Sequence, residues 1–211
     1  MKALFYLLIA FIFGISSCQN SLKNKIIGIL PYEEVKQQDI DSVKSTLERT
    51  YQLKTVILNQ IELPQQAYTT IRSPRYRADS LIRIQARNLP DSISYIIGLT
   101  NKDISSTKYN KQTGEIKSPK STYKDWGIFG LGQVGGVSCV VSTYRLHNNA
   151  SNQLYFTRLK RISTHEIGHV LGLSHCPTKA CVMNDANETI KTIDKSTGEL
   201  CDECKKDIYL N

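Results

Sequence analysis

The chain has 211 residues, 40% of them hydrophobic, and a formal net charge of +8. That apolar content suffices for one sizeable core, so a single domain with two lobes is the default. That charge suits an acidic surface or polymer, but the 27 lysines and arginines are scattered without an aromatic-basic cluster, so they read as solvated faces and argue against a nucleic acid partner.

Residues 1–17 read as a signal peptide of the lipoprotein type. Lys2 supplies a positive start, and Ala3 to Ile15 form an apolar run too short to span a bilayer. Ile15-Ser16-Ser17-Cys18 resembles a bacterial lipobox, with isoleucine where leucine is usual and serine where glycine or alanine is usual. On that resemblance the mature chain begins at a lipid-modified Cys18 and is an extracytoplasmic, membrane-anchored lipoprotein of the periplasm or cell envelope. A plain signal peptide cut nearby is the alternative. Residues 18–24 form a polar tether, and residues 25–211 form one folded domain.

Ile26 to Leu30 is a buried-strand run stopped by Pro31, after which Glu33 to Thr50 spaces Val35, Ile40, Val43 and Leu47 as one helical face. Leu53 to Leu58 returns as a strand, making a β-α-β unit with parallel neighbours. Ser73-Pro74 is expected to cap a second helix running to about Arg87, with Ala78, Leu81, Ile82 and Gln85 inward, and Ser94 to Leu99 is a third strand. Asn101 to Asp125 is polar and reads as a long surface excursion. The glycine-rich stretch Ile128 to Gly136 lacks the lysine of a phosphate loop, so it reads as backbone approached closely by another segment. Val137 to Tyr144 follows as a strand, and Cys139 within it is a small buried hydrophobe rather than a nucleophile. His147 has no partner motif, and Tyr155, Leu159 and Ile162 lead a helix toward the chemistry-bearing stretch.

That stretch begins at His165-Glu166-Ile167-Gly168-His169, continues through Gly172 to His175, and adds Cys176, Cys181, Met183, Cys201 and Cys204. His165 and His169 lie one turn apart on one helix face, so two imidazoles reach the same point. Gly172 can end the helix in a left-handed conformation and let His175 swing back. Three neutral nitrogens with an open fourth position describe a catalytic zinc site, and Glu166 stands where it can take a proton from water but not ligate. Cys176, Cys181, Cys201 and Cys204 have the spacing of a zinc knuckle, a closed structural site. Their alternative is two disulfides, which an exported protein permits. Together the clusters call for two Zn²⁺ per chain, one held by three histidines and one by four cysteines.

The order His-Glu-x-x-His-x-x-Gly-x-x-His-Cys, four residues, Cys-x-Met, seventeen residues, Cys-x-x-Cys resembles the signature of the archaemetzincins, a branch of the metzincin zinc peptidases. The resemblance implies an α+β fold: a metzincin-like two-lobed domain with a twisted mixed β-sheet, an active-site zinc helix along the cleft floor and a C-terminal zinc-knuckle lobe. It implies peptide-bond hydrolysis of a peptide or protein substrate, and it makes Met183 the apolar floor beneath the metal. It also implies that extended substrate pairs along Val137 to Tyr144 as an added edge strand. No tyrosine follows Met183, where Asn184 and Asp185 stand, so a tyrosyl helper from that turn is unsupported. From another class, the alternative is a lipid-anchored zinc-binding protein with little turnover, against which Glu166 argues. The sequence leaves the oligomeric state open.

Overall fold

The computed structural model describes residues 22–185 and 189–210. The expected signal peptide and the expected lipid attachment at Cys18 lie outside the described residues. The main sheet takes its strands from β1 (Ile26–Pro31), β2 (Lys54–Ile57), β5 (Tyr95–Thr100), β8 (Gly130–Gly132) and β9 (Ser138–Ser142). A second sheet is built from β3 (Tyr68–Thr69), β4 (Arg75–Arg77), β6 (Ile104–Ser106) and β7 (Trp126–Ile128). The helices are α1 (Gln37–Tyr51), α2 (Ala78–Arg87), α3 (Lys120–Tyr123), α4 (Asn152–Val170), α5 (Ile190–Lys195) and α6 (Asp202–Leu210). A 3-10 turn at Leu22–Asn24 precedes β1, and Leu22 packs on the core, so the last residues of the expected tether belong to the folded body.

The main sheet runs β2-β1-β5-β9-β8. Its first three pairings are parallel and β8 is antiparallel to β9, so the sheet is mixed, as expected. Its central strands β1, β5 and β9 are buried on both faces, which is why they read as continuous apolar runs. Ile27, Ile97 and Val141 face a core shared with α1 and α4, whereas Ile96 and Val140 face the side covered by α2. Gln85, the polar residue on the inner face of α2, is satisfied: its Nε2 donates to Tyr32 Oη at 3.0 Å, and Ser138 Oγ donates to its Oε1 at 2.6 Å.

Four expectations are corrected. α1 begins at Gln37 rather than Glu33, because Glu33 has φ +47 and cannot open a right-handed helix. α2 begins at Ala78 rather than after Ser73-Pro74, because Arg75–Arg77 is taken by β4, which pairs with β3 and β6. The stretch 101–125 is not all surface. Ile104–Ser106 is buried as β6, and Asp103 beside it accepts from Arg145 Nε at 2.6 Å and Nη2 at 2.8 Å. Arg75 stands 3.3 Å from Asp103 and 3.7 Å from Asp125, all three side chains buried. Charges paired in this way are carried inside, so polar composition alone misplaced the segment. Finally, β9 offers no free edge to a substrate, since β5 flanks it on one side and β8 on the other. The glycine-rich β8 is the edge strand.

α4 positions the chemistry. Ser151 Oγ caps it by accepting from the Leu154 N–H at 3.2 Å, and its Tyr155, Leu159, Ile162 and Ile167 are buried in the core shared with α1. Tyr51 Oη of α1 donates to the Thr164 carbonyl at 2.6 Å, tying the two helices beside His165.

Candidate functional site

His165 and His169 project from the last turns of α4. The helix closes at Val170, and Gly172 takes φ +99, a backbone that side chains other than glycine's rarely adopt, so the chain reverses and brings His175 back. One ring nitrogen from each histidine lies within 4.8 Å of the other two.

The hydrogen bonds of the outer ring nitrogens settle where the protons sit. His165 Nδ1 lies 2.8 Å from the Val182 carbonyl and His169 Nδ1 lies 2.7 Å from the Leu173 carbonyl. A carbonyl only accepts, so each Nδ1 carries its proton and each neutral ring turns an Nε2 lone pair inward. Those two Nε2 atoms stand 3.0 Å apart. Two facing lone pairs at that distance repel unless a cation lies between them, and tetrahedral zinc at its usual Zn–N distance would separate them by about 3.4 Å. Burial holds the His165 pKa down to about 4, with the neighbouring imidazoles adding to the effect, and burial also lowers that of His169. Both rings are therefore kept neutral, as a ligand must be. His175 is the exposed member, with its Nδ1 3.6 Å from Asp185 Oδ2.

Glu166 lies against the wall formed by β8. A Cβ on Gly130 would lie 2.6 Å from Glu166 Oε1, and one on Gly132 would lie 2.6 Å from the Glu166 carbonyl oxygen. The glycines expected to mark close backbone approach are thus approached by the α4 carboxylate. Burial pushes the Glu166 pKa up to about 8, against a hydrogen bond from the Gly132 backbone and the charge of Lys108. Cys139, opposite Gly132 in the β8–β9 ladder, is fully buried, and burial followed by the charge of Glu166 pushes its thiol well above the usual range. It is no nucleophile. His147 stacks on Tyr155 with ring centres 4.0 Å apart, away from the site.

Met183 is fully buried against Gly168, the residue before His169, where a Cβ would meet its sulfur. The turn that carries it is tied to the second cluster: the Cys176 N–H donates to the Met183 carbonyl at 2.8 Å, and Asn184 Nδ2 donates to the Cys176 carbonyl at 2.9 Å. The sulfurs of Cys176, Cys181, Cys201 and Cys204 all lie within 4.8 Å of one another, as the knuckle spacing requires. The close pairs, Cys176–Cys201 and Cys181–Cys204, stand at 3.7 Å. A tetrahedral Zn–S₄ site has sulfurs about 3.8 Å apart, whereas a disulfide needs about 2.05 Å. Backbone N–H groups of Thr178 and Cys201 donate to Cys176 Sγ and Cys181 Sγ, each at 3.4 Å. A hydrogen bond from the Cys204 backbone, with those of the neighbouring thiols, lowers the Cys201 pKa to about 7, while burial raises those of Cys181 and Cys204.

The histidines, Glu166 and all three residues of β8 line a cleft of about 1090 Å³, together with residues from 108–117, Arg161 and α5. Sequence reasoning did not find Asp185 beside His175, the orienting carbonyls of Leu173 and Val182, or this basic rim. Carbonyls leave no mark in a sequence, and the rim residues are far apart in the chain.

The sequence model of peptidase family M54 matches residues 19–209. The archaemetzincin of Halobacterium salinarum strain R1 is 28% identical over 191 residues, covering 87% of this chain and 99% of that protein. Among solved structures, that of the Archaeoglobus fulgidus archaemetzincin complexed with malonate superposes with a TM-score of 0.67 at 28% identity, covering 87% of this chain and 99% of that one. The Methanopyrus kandleri archaemetzincin shares the fold, with a TM-score of 0.68 at 22% identity over 90% of this chain and 95% of that one.

Proposed function

This chain belongs to peptidase family M54 and is a zinc metallopeptidase, and on that premise we propose that His165, His169 and His175 hold the catalytic zinc while Glu166 is the general base. The observation that carries the ligand set is the pair of inward Nε2 lone pairs 3.0 Å apart, each fixed by a carbonyl behind its ring. When bound, zinc would acidify a water molecule to a pKa of about 7 and polarise the scissile carbonyl. Glu166 takes the proton from the attacking water and returns it to the leaving amine. Its buried carboxylate has a pKa raised to about 8, so it can both accept and release a proton near neutrality. Its position is held by the Gly132 backbone and by the missing side chains of Gly130 and Gly132.

Peptide substrate lies extended along the free edge of β8 in this reading. That strand lines the cleft, and edge pairing supplies affinity through the backbone. The second zinc of the chain is assigned to Cys176, Cys181, Cys201 and Cys204, on the strength of their near-tetrahedral sulfur separations. Membrane anchoring through Cys18 is part of the same proposal. The family match starts at residue 19, which leaves the apolar leader outside the shared domain.

The test is a peptide library offered to the zinc-loaded parent, Glu166→Gln and His169→Ala, with metal content measured alongside. Glu166→Gln should lose hydrolysis by roughly 10²–10⁴-fold while keeping its zinc. His169→Ala should lose both. If the parent and Glu166→Gln cleave equally slowly, the alternative of a zinc-binding protein with little turnover takes over. Detergent partitioning of the parent against Cys18→Ser tests the anchor, and a Cys18→Ser protein that stays in the membrane at unchanged mass would refute it.

A further inference from the structure

Arg161 lies one helical turn before His165 on the same face of α4 and lines the cleft with it. Its Nη1 donates to the Ile193 carbonyl at 3.0 Å and the Asp194 carbonyl at 2.9 Å. Its stem runs against Gly198, where a Cβ would come within 3.3 Å of its Cγ. The guanidinium is therefore held in place by neutral groups. The nearby Asp194 carboxylate does not neutralise it, because Arg158 takes both oxygens, Nε to Oδ1 at 2.7 Å and Nη2 to Oδ2 at 2.8 Å. Among the described residues Arg161 makes no ion pair, and its Nε and Nη2 donors are uncommitted.

Lys108, Lys111 and Lys117 line the same cleft, with Lys111 exposed and the charge of Lys108 felt by Glu166. The carboxylates among the described lining residues are Glu166, wedged against β8, and Asp185, beside His175. A half-buried, pre-positioned guanidinium whose one nearby carboxylate, Asp194, is shared with Arg158, in a peptide-sized cleft that exposed Lys111 also lines, has the geometry of an anion reader. Its planar fork fits a carboxylate better than a point charge does.

We propose that this cleft selects peptides carrying a carboxylate, either an acidic side chain or the chain's own C-terminus, and that Arg161 is the residue that reads it, with Lys111 strengthening the attraction. The inference rests on the peptidase reading for the use of the cleft, but its test can be separated from that reading.

Binding is measured by fluorescence anisotropy on the zinc-loaded Glu166→Gln protein with labelled peptides. One arm pairs peptides identical but for Glu or Gln at a single position, scanned along the chain. The other pairs a free C-terminus with its amide. In at least one arm the carboxylate form should bind about tenfold more tightly, the size of one charge-assisted pair, and the arm that responds identifies the source. Adding Arg161→Gln should bring the preference below about twofold. Arg83→Gln, which removes the same charge from the exposed face of α2, should leave it intact. Equal binding of carboxylate and neutral peptides in both arms overturns the inference, as does a preference that survives Arg161→Gln.

If Arg161→Gln loses zinc or helical content, Lys111→Glu decides. Lys111 is exposed, so its substitution spares the fold, and the preference should fall at least severalfold or the inference fails. A parent enzyme that discriminates in binding but cleaves nothing would sink the peptidase reading and leave this one standing.

Discussion

The two clusters adjoin in the chain, the histidines ending at His175 and the cysteines starting at Cys176, yet they are built in opposite ways. The histidine cluster takes two members from the end of a regular, buried helix and orients each ring from behind with a carbonyl. The cysteine cluster takes its members from turns and the start of α6, held together by N–H···S contacts and by the sulfurs themselves. The first is a preformed site on a rigid element; the second is a clasp whose parts have little else to hold them. The lesson is a direction of dependence. α4 can present His165 and His169 without the clasp, whereas His175 and Met183 reach the site through a segment the clasp anchors.

The comparison breaks most easily at the clasp. Replacing Cys181 and Cys204 together by serine should drop zinc from two equivalents to one, because soft thiolates at the buried positions are the ligands hardest to replace. Structural zinc contributes on the order of 10 kcal/mol to small metal-organised folds, so the C-terminal lobe should melt well below the parent temperature. Activity should vanish with it, through loss of His175. A double variant that keeps two zinc equivalents and parent stability would make the sulfurs bystanders.

The rigid site should respond to smaller insults and without unfolding. Gly130→Ala puts a methyl 2.6 Å from Glu166 Oε1 and 2.7 Å from its Cγ, contacts with the side chain alone. The carboxylate must shift by a few tenths of an ångström or more. A displaced base should lower kcat by about 10²-fold with zinc content unchanged. Parent-level kcat would show that β8 does not position Glu166.

A third difference appears in acid. In the metal-free protein the folded His165 has a pKa of about 4 against an ordinary 6.5, and that of His169 is lowered as well, so between those values the unfolded chain binds more protons. Stability of the apo form is therefore whole above about pH 6.5 and falls as pH drops toward 4, by about 2 kcal/mol for one such histidine partly shielded from water. His165→Gln should flatten that slope in denaturant titrations. An unchanged slope would assign acid sensitivity to other groups.

How much of this was legible in the sequence follows the same contrast. Both clusters were, because metal ligands must be particular residue types at particular spacings, and because Gly172 marks the reversal between them. The β-α-β unit and α4 were legible from uninterrupted apolar periodicity. The second sheet was not: its strands run two or three residues, and its buried Arg75, Asp103 and Asp125 look like surface until their partners are known. The edge strand was misread for a related reason. Gly130–Gly132 has almost no side chains to announce a strand, so Val137 to Tyr144 reads as the edge that β8 in fact covers. Glycine there serves Glu166, a requirement that emerges once α4 is laid across the sheet.

The smallest expected effect concerns the junction of the two regions. Among the described residues, His175 is the one ring of the three without an orienting carbonyl; its Nδ1 faces Asp185 Oδ2 at 3.6 Å, and both side chains are over two-fifths exposed. A carboxylate behind a ligating imidazole fixes its tautomer and raises its basicity, and loss of such a partner typically weakens metal binding by 10–100-fold. At this distance and exposure the contact is loosened by water, so the low end applies. Asp185→Asn keeps the shape and removes the charge. It should weaken zinc binding at the histidine site by about tenfold in competition with a chelator, leave the cysteine site saturated, and leave kcat of the zinc-saturated enzyme nearly unchanged. If chelator competition instead strips both sites together, the two regions are a single cooperative unit, and a rigid helix site beside a dependent clasp is the wrong description.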